Sequence, residues 1–270
     1  MKKTSKLVIA LVSFLLGLLW IFPFYLILTN SFKTPKGIFA SVLSLPSPAT
    51  GDNYVNSFKA LDFLRSLGNS LIITVVGVIL IIVFSAMAAY ALQRNHSKIS
   101  GGILMLFVSA MLIPFQTVMI PLTANFGRVH MLNMWGLIFM YIGFQSSLSI
   151  FLYQGTIASI PVSMDESAEL EGANRLQTFF KIIFPMLTPI TTTVGILNII
   201  ALWNDYLLPS LVLPQNQYTI PLQMFFFFGQ YTKQWHLALA GLALSILPVI
   251  IFYAFAQRYI IKGVTDGAVK

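Results

Sequence analysis

The chain has 270 residues, of which 57% are hydrophobic and 9% charged, against roughly 45–50% and about 25% in soluble proteins. Its 16 basic and 8 acidic residues cannot cover a globule of this size with a charged shell, and a mean hydropathy of +0.83 agrees. A soluble fold is excluded; this is the composition of an all-α integral membrane protein.

Runs without Asp, Glu, Lys or Arg mark the elements in chain order. Leu7–Phe32 predicts a first span over 7–30. It follows Met1-Lys2-Lys3 as a signal peptide's apolar stretch would, but runs more than twenty residues and lacks a small-residue cleavage site, so it reads as a retained span. A loop of some 35 residues follows, with Pro35, Gly37, Pro46, Pro48 and Gly51, irregular or partly helical. Further spans are predicted over 67–92, 101–125 and 134–157. The segment Pro161–Pro185 has a different, charged character, and a fifth span is predicted over 186–209.

The run Tyr206–Thr232 contains Pro209, Pro214, Pro221 and the polar Gln215-Asn216-Gln217, which a lipid-facing helix could not satisfy. It reads as the end of the fifth span, an external loop and a short apolar piece, Leu222–Phe228. A sixth span is predicted over 237–262. Glycines and prolines within the spans, Gly77, Pro114, Gly136, Gly195 and Pro248 among them, read mainly as sites of close packing and kinks.

Charge placement supports six spans. With both termini inside, Lys2, Lys3, Lys6, Arg94, Lys98, Arg175, Lys181, Arg258, Lys262 and Lys270 are cytoplasmic. Lys33, Lys36, Lys59, Arg65, Arg128 and Lys233 are outside, four of them in one long loop, where the positive-inside bias is weaker. A seventh span would move Arg258, Lys262 and Lys270 outside.

Four of the 8 acidic residues, Asp165, Glu166, Glu169 and Glu171, fall in the 161–185 segment. Ser163-Met164-Asp165-Glu166 matches a capping box, with Ser163 accepting from the Glu166 amide. The short helix it opens should stop at Gly172, which tolerates positive φ. Asn174 then N-caps a second helix, whose Leu176, Phe179, Phe180, Ile183 and Phe184 form one apolar stripe. The expected object is a helix–turn–helix on the membrane face, its second limb continuous with the fifth span. A solvated connector that only joins two spans is the plainer alternative.

These residues resemble a known pattern. Glu166-Ser167-Ala168-Glu169-Leu170-Glu171-Gly172-Ala173, followed by Phe179, Ile182, Pro185 and Pro189, is similar to the EAA loop of ABC importer permeases. Ser167 stands for an alanine and Glu171 for the usual aspartate. Asn30-Ser31-Phe32-Lys33-Thr34, Trp203-Asn204-Asp205-Tyr206-Leu207-Leu208-Pro209 and the tail from Gln257 to Lys270 resemble the carbohydrate-uptake branch, in particular its smaller, maltose-transporter-like permease. The likeness covers essentially the whole chain.

The resemblance implies the type I importer permease fold, a single permease domain of six spans with a cytoplasmic coupling helix, in a bacterial or archaeal cytoplasmic membrane. It implies partners: a second homologous permease, two ATPase subunits and an extracytoplasmic solute-binding protein that delivers a carbohydrate. Glu166, Ala168, Glu171, Gly172 and Ala173 would be the ATPase-coupling residues. ATP and Mg would be bound by the partner subunits, with no cofactor in this chain. Permeases for polyamines, amino acids or phosphate are the nearer alternatives, a secondary transporter the more distant one.

Other residues weigh less. Asp205 is the one acidic residue in or near a predicted span, readable as a structural hydrogen-bonded group or as a contact to substrate or binding protein. Asn125, Asn198 and Asn204 could line a polar pathway or serve as packing glue. His96, His130 and His236 are scattered and Cys is absent, so no metal site is expected. No Walker-type loop and no catalytic constellation is present, so energy for transport must come from a partner.

Overall fold

The computed structural model describes residues 3–95, 97–225, 227 and 234–268, and every regular element among them is helical. In chain order these are α1 (Lys3–Ser31), α2 (Pro35–Ala40), α3 (Asp52–Ala60), α4 (Phe63–Arg94), α5 (Lys98–Ala110), α6 (Phe115–Arg128) and α7 (Met134–Ile157). Then come α8 (Ser163–Leu170), α9 (Arg175–Thr178), a π-helical turn (Phe179–Ile183), α10 (Phe184–Met186) and α11 (Thr188–Asn204). They are followed by α12 (Leu207–Val212), a 3-10 turn (Gln215–Gln217), α13 (Ile220–Phe225) and α14 (Trp235–Ala268). His96, Phe226, Phe228, Lys233 and Lys270 lie outside the described residues, so the predicted piece at Leu222–Phe228 is helical as far as Phe225.

Among the described residues four helices, in α1, α4, α7 and α14, are singly long and apolar enough to cross a membrane, and the count reaches six if each of two bent pairs is one span. Both bent pairs correct the predicted spans. The element expected as one helix over 101–125 is α5 and α6, meeting at 104°. Pro114 is the cause: it holds Ile113 out of the helical region, and the last turn of α5 tightens into i+3 bonds from Met111, Leu112 and Ile113. The span expected over 186–209 is α11 alone, which stops at Asn204 because Asp205 is extended at ψ 131.

The chain divides into two compact units, 1–64 with 223–252 and 65–222 with 253–270. In the first, the membrane-length window of α1 is apolar and none of it is buried, so lipid or other membrane helices must cover it. The Asn30–Thr34 segment is a knot of hydrogen bonds. Lys33, only 2% exposed, donates from Nζ to Asn30 Oδ1 (3.0 Å) and to the Ser41 (2.9 Å) and Val42 (3.3 Å) carbonyls. Asn53 Nδ2 donates to the Ser31 and Lys33 carbonyls at 2.7 and 2.8 Å. The sequence counts Lys33 among the charges of the outer loop; in the structure three neutral oxygens replace its hydration.

In the second unit α7 is central. Leu137, Ile138, Met140 and Tyr141 pack with Ile73, Val78 and Ile81 of α4, Leu202 of α11 and Leu208 and Val212 of α12. One end further, Ile150, Tyr153 and Ile157 pack with Ala86 and Ala89 of α4 and with Phe179, Ile183, Leu187 and Val194. The first four amides of α7 are all satisfied, as a buried helix start requires. Gln217 Oε1 accepts from Met134 (2.7 Å), Asn133 Oδ1 from Trp135 and Gly136 (3.0 and 3.1 Å), and the Asn133 carbonyl from Leu137 (2.9 Å). The polar 215–217 stretch thus caps a neighbouring helix.

Candidate functional site

Helix α8 carries most of the acidic cluster on the connection between α7 and α11, with Asp165 and Glu166 in its first turn. There they face the positive end of the helix dipole. The capping box predicted at Ser163 is not formed: Ser163 is already helical and Val162 precedes it without a side-chain cap. The turn starts at Pro161, so the Asp165 and Glu166 amides donate to the Val162 carbonyl at 2.9 and 3.2 Å and leave nothing for a serine oxygen to accept.

The C-terminal end matches expectation in detail. Gly172 sits at φ +84. Its N–H donates to the Glu169 carbonyl (3.0 Å) and that of Ala173 to the Ala168 carbonyl (2.9 Å), a complete Schellman motif. Asn174 N-caps α9 as predicted, and the reciprocal box is here: Asn174 Oδ1 accepts from Gln177 N, and Gln177 Oε1 from Asn174 N, both at 2.9 Å. Glu166, Glu171 and Gly172 are exposed, Ala173 is half-buried, and Ala168 is 2% exposed, covered by this chain itself. Leu170 is 90% exposed, an apolar side chain left almost uncovered by the described residues.

The predicted stripe is split. Phe179 and Ile183 are buried, but Leu176 and Phe180 are 58% and 45% exposed. In the π turn the Phe184 amide reaches back to the Phe179 carbonyl, and this wider turn lines up residues four apart more closely than an α-helix does. Continuity with the fifth span fails as well. The Arg175–Met186 stretch meets α11 at 80°, with Leu187 buried at the corner. Pro189 has no N–H to offer the Pro185 carbonyl, and the Thr188 hydroxyl takes that carbonyl instead at 2.6 Å.

A contact unforeseen from sequence anchors α8. Arg94, the last residue of α4, pairs with Asp165 (Nη2 to Oδ2, 2.8 Å) and donates to the Ile160 carbonyl at 3.2 Å. The Tyr90 hydroxyl donates to the other oxygen of Asp165, and its ring lies 5.3 Å from that of Phe179. These groups line a cleft of about 1050 Å³ with Asn95, Glu166, Glu169, Asn174 and Arg175. In the sequence Arg94 reads only as a cytoplasmic charge just past the second predicted span; its pairing with a residue far along the chain is visible in the structure alone.

The other candidates do not converge on one site. Asn198 is buried between helices, its Nδ2 donating to Ser149 Oγ of α7 (3.1 Å) and the Val194 carbonyl (2.8 Å). Asn125 is exposed, and Asn204 is exposed with its amide on the Ile200 carbonyl. Asp205 binds locally, Oδ1 accepting from Leu207 N (2.9 Å) and Oδ2 from the Tyr141 hydroxyl (2.8 Å). Two bonds to a carboxylate make Asp205→Ala cost about 2 kcal/mol in thermal unfolding of the purified chain. Asp205→Asn keeps one acceptor and loses less. Lost uptake by the asparagine variant at unchanged stability would point instead to substrate contact.

Comparison with known proteins places this architecture. Residues 79–266 match the family described as binding-protein-dependent transport system inner membrane component. A Thermoanaerobacterium thermosulfurigenes protein named "Probable starch degradation products transport system permease protein AmyC" is 50% identical over 98% of this chain and 97% of its own length. The Streptococcus mutans "Multiple sugar-binding transport system permease protein MsmG" is 37% identical over 94% and 93%. The solved structure of a bacterial ABC transporter involved in the import of the acidic polysaccharide alginate contains a chain of the same fold. Its TM-score is 0.76 at 24% identity, covering 96% of this chain and 98% of that one.

Proposed function

The chain belongs to the binding-protein-dependent transport system inner membrane components, and on that footing we propose that it is a permease subunit of an ATP-driven importer that moves an oligosaccharide. It is a multi-pass transport subunit and not an enzyme; members of its family work in ABC importers beside ATPase subunits, a solute-binding protein and a second permease. Relatives named for starch degradation products and for multiple sugars, aligned over more than nine-tenths of the chain, support the carbohydrate reading.

The observation that carries the mechanism is α8: a surface helix closed at its C-terminal end by a Schellman turn, with exposed acidic side chains and the uncovered Leu170. Such a face suits a groove on a cytoplasmic ATPase, with Leu170 supplying apolar contact and Glu166 and Glu171 charge. Ala168 lets α8 lie close to its own support, and Gly172 and Ala173 form the turn. Both termini and α8 lie in the cytoplasm in this reading, consistent with the denser basic residues there. ATP and Mg sit on the ATPase subunits; this chain binds no cofactor. Closure of the ATPase pair moves α8, and α8 moves the helices that open the pathway, for which Asn125, Asn198, Asn204 and Asp205 remain candidate lining or binding-protein contacts.

The test is uptake by proteoliposomes holding the whole transporter and its binding protein. Labelled maltotriose or raffinose should accumulate only with ATP on the ATPase side. Accumulation of a polyamine or an amino acid, and of no oligosaccharide, would overturn the substrate class.

A further inference from the structure

Helix α8 follows α7 after five residues, 158–162, and beyond that link it is connected to the membrane helices in two further ways, which differ in stiffness. The covalent route runs through the Gly172 turn, α9, the π turn and the 80° corner at Leu187 before it reaches α11. Each of these departures from a straight α-helix is a place where a push can be absorbed. The second route is short. Asp165 in the first turn of α8 gives one oxygen to Arg94 and the other to Tyr90, both on the last turn and a half of α4.

This second connection has the features of a fixed joint. The side chains of Arg94 and Asp165 are only 16% and 17% exposed. Arg94 also holds the Ile160 carbonyl, just before α8, and its guanidinium lies 5.9 Å from the centre of the Tyr90 ring. The Tyr90 ring packs on Phe179, which itself contacts Phe180 and Phe184. Removing either charge would leave the other half-buried and uncompensated, so the pair is costly to open. Glu166, the next residue, is exposed and has no part in this joint's ion pair or hydrogen bonds.

We infer that Tyr90, Arg94 and Asp165 form a latch that stays closed through the transport cycle, so that the Arg94 end of α4 moves with α8 as one body. The inference rests on the reading of α8 as the coupling helix and adds a second output to it. Displacement of α8 reaches the membrane helices through α4 directly, as well as through the hinged chain that leads to α11. Arg94 and Tyr90 are positioning residues, acting through Asp165 and not on substrate.

The chain has no cysteine, so paired spin labels can be introduced cleanly. With Asn95→Cys and Glu169→Cys labelled in the assembled transporter, the inter-label distance should be the same in nucleotide-free and ATP-trapped states. Adding Asp165→Asn should make that distance state-dependent. The same substitution, or Arg94→Gln, should lower the sugar imported per ATP hydrolysed about tenfold, within the range of ordinary coupling between sites, while the complex assembles and still hydrolyses ATP. If Asp165→Asn prevents assembly, Tyr90→Phe, which removes one hydroxyl, is read in its place with a smaller effect in the same direction. A distance that changes with nucleotide while the latch residues are intact overturns the inference, as does normal coupling in the substituted complexes. The distance measurement needs no transported solute, so absence of oligosaccharide uptake by the unsubstituted complex counts against the proposed function alone.

Discussion

Replacing Gly172 with valine is expected to abolish ATP-driven uptake while the chain still inserts and assembles. A Cβ at this position meets nothing within 4 Å, so the effect is conformational, not steric crowding: the residue sits at φ +84. A β-branched side chain there is a backbone outlier and costs about 1–3 kcal/mol. That strain falls on a helix of 8 residues, too short to be stable alone, whose last carbonyls are satisfied through the turn Gly172 makes. The valine variant should relieve strain by unwinding that turn, and α8 would then no longer present its face to a partner. A graded series separates this from general damage. Asparagine, tolerant of left-handed backbone, should retain most uptake, alanine less and valine none, at equal amounts of assembled complex. Normal uptake by the valine variant would count heavily against the role given to α8.

Gly136→Ala should be the most destabilising change in the second unit, by about 3 kcal/mol or more. The added carbon would lie 1.8 Å from the Met131 carbonyl oxygen and 2.8 Å from its carbon. These are main-chain atoms and cannot swing aside. Met131 is itself held, its amide on the Phe126 carbonyl at 2.9 Å, in a turn where His130 has φ +55. Moving α7 away would break the Asn133 cap and the Gln217 contact that close its N-terminus. Gly143→Ala in the same helix meets nothing within 4 Å and serves as the control, since alanine favours helix over glycine by roughly 1 kcal/mol. Thermal unfolding in detergent should rank the two on opposite sides of the unsubstituted chain. Equal melting of all three would contradict the close approach of α7 to Met131.

Local signals predicted this fold where main-chain chemistry decides it. The span over 134–157 is found with those bounds because Asn133 caps it and the apolar run is long. Gly172 and Asn174 do what their conformational preferences dictate. Ser163 did not, because it is itself the first helical residue and the Glu166 amide it would have capped already donates to the Val162 carbonyl. Pro114 was visible as a kink, but the break at Pro189 and the size of both bends, 104° and 80°, were not, since packing sets how far a broken helix turns. The alternation at Leu176–Phe184 was read with an α period, and the π turn changed which side chains are inside.

Sequence alone determined that this chain lives in a membrane, that its acidic residues cluster on one connection, and that the connection carries a glycine-terminated helix of the permease type. These properties depend on composition and on neighbours a few residues apart, and a linear pattern records such information directly. Only the tertiary structure decided that Lys33 is buried on neutral oxygens, that Asp205 is held by Tyr141, and that Asp165 is held by Arg94 and Tyr90. Each of those is a polar or charged group with partners 8 to 75 positions away. Its environment depends on which helix ends the fold brings together, and no local spacing encodes that.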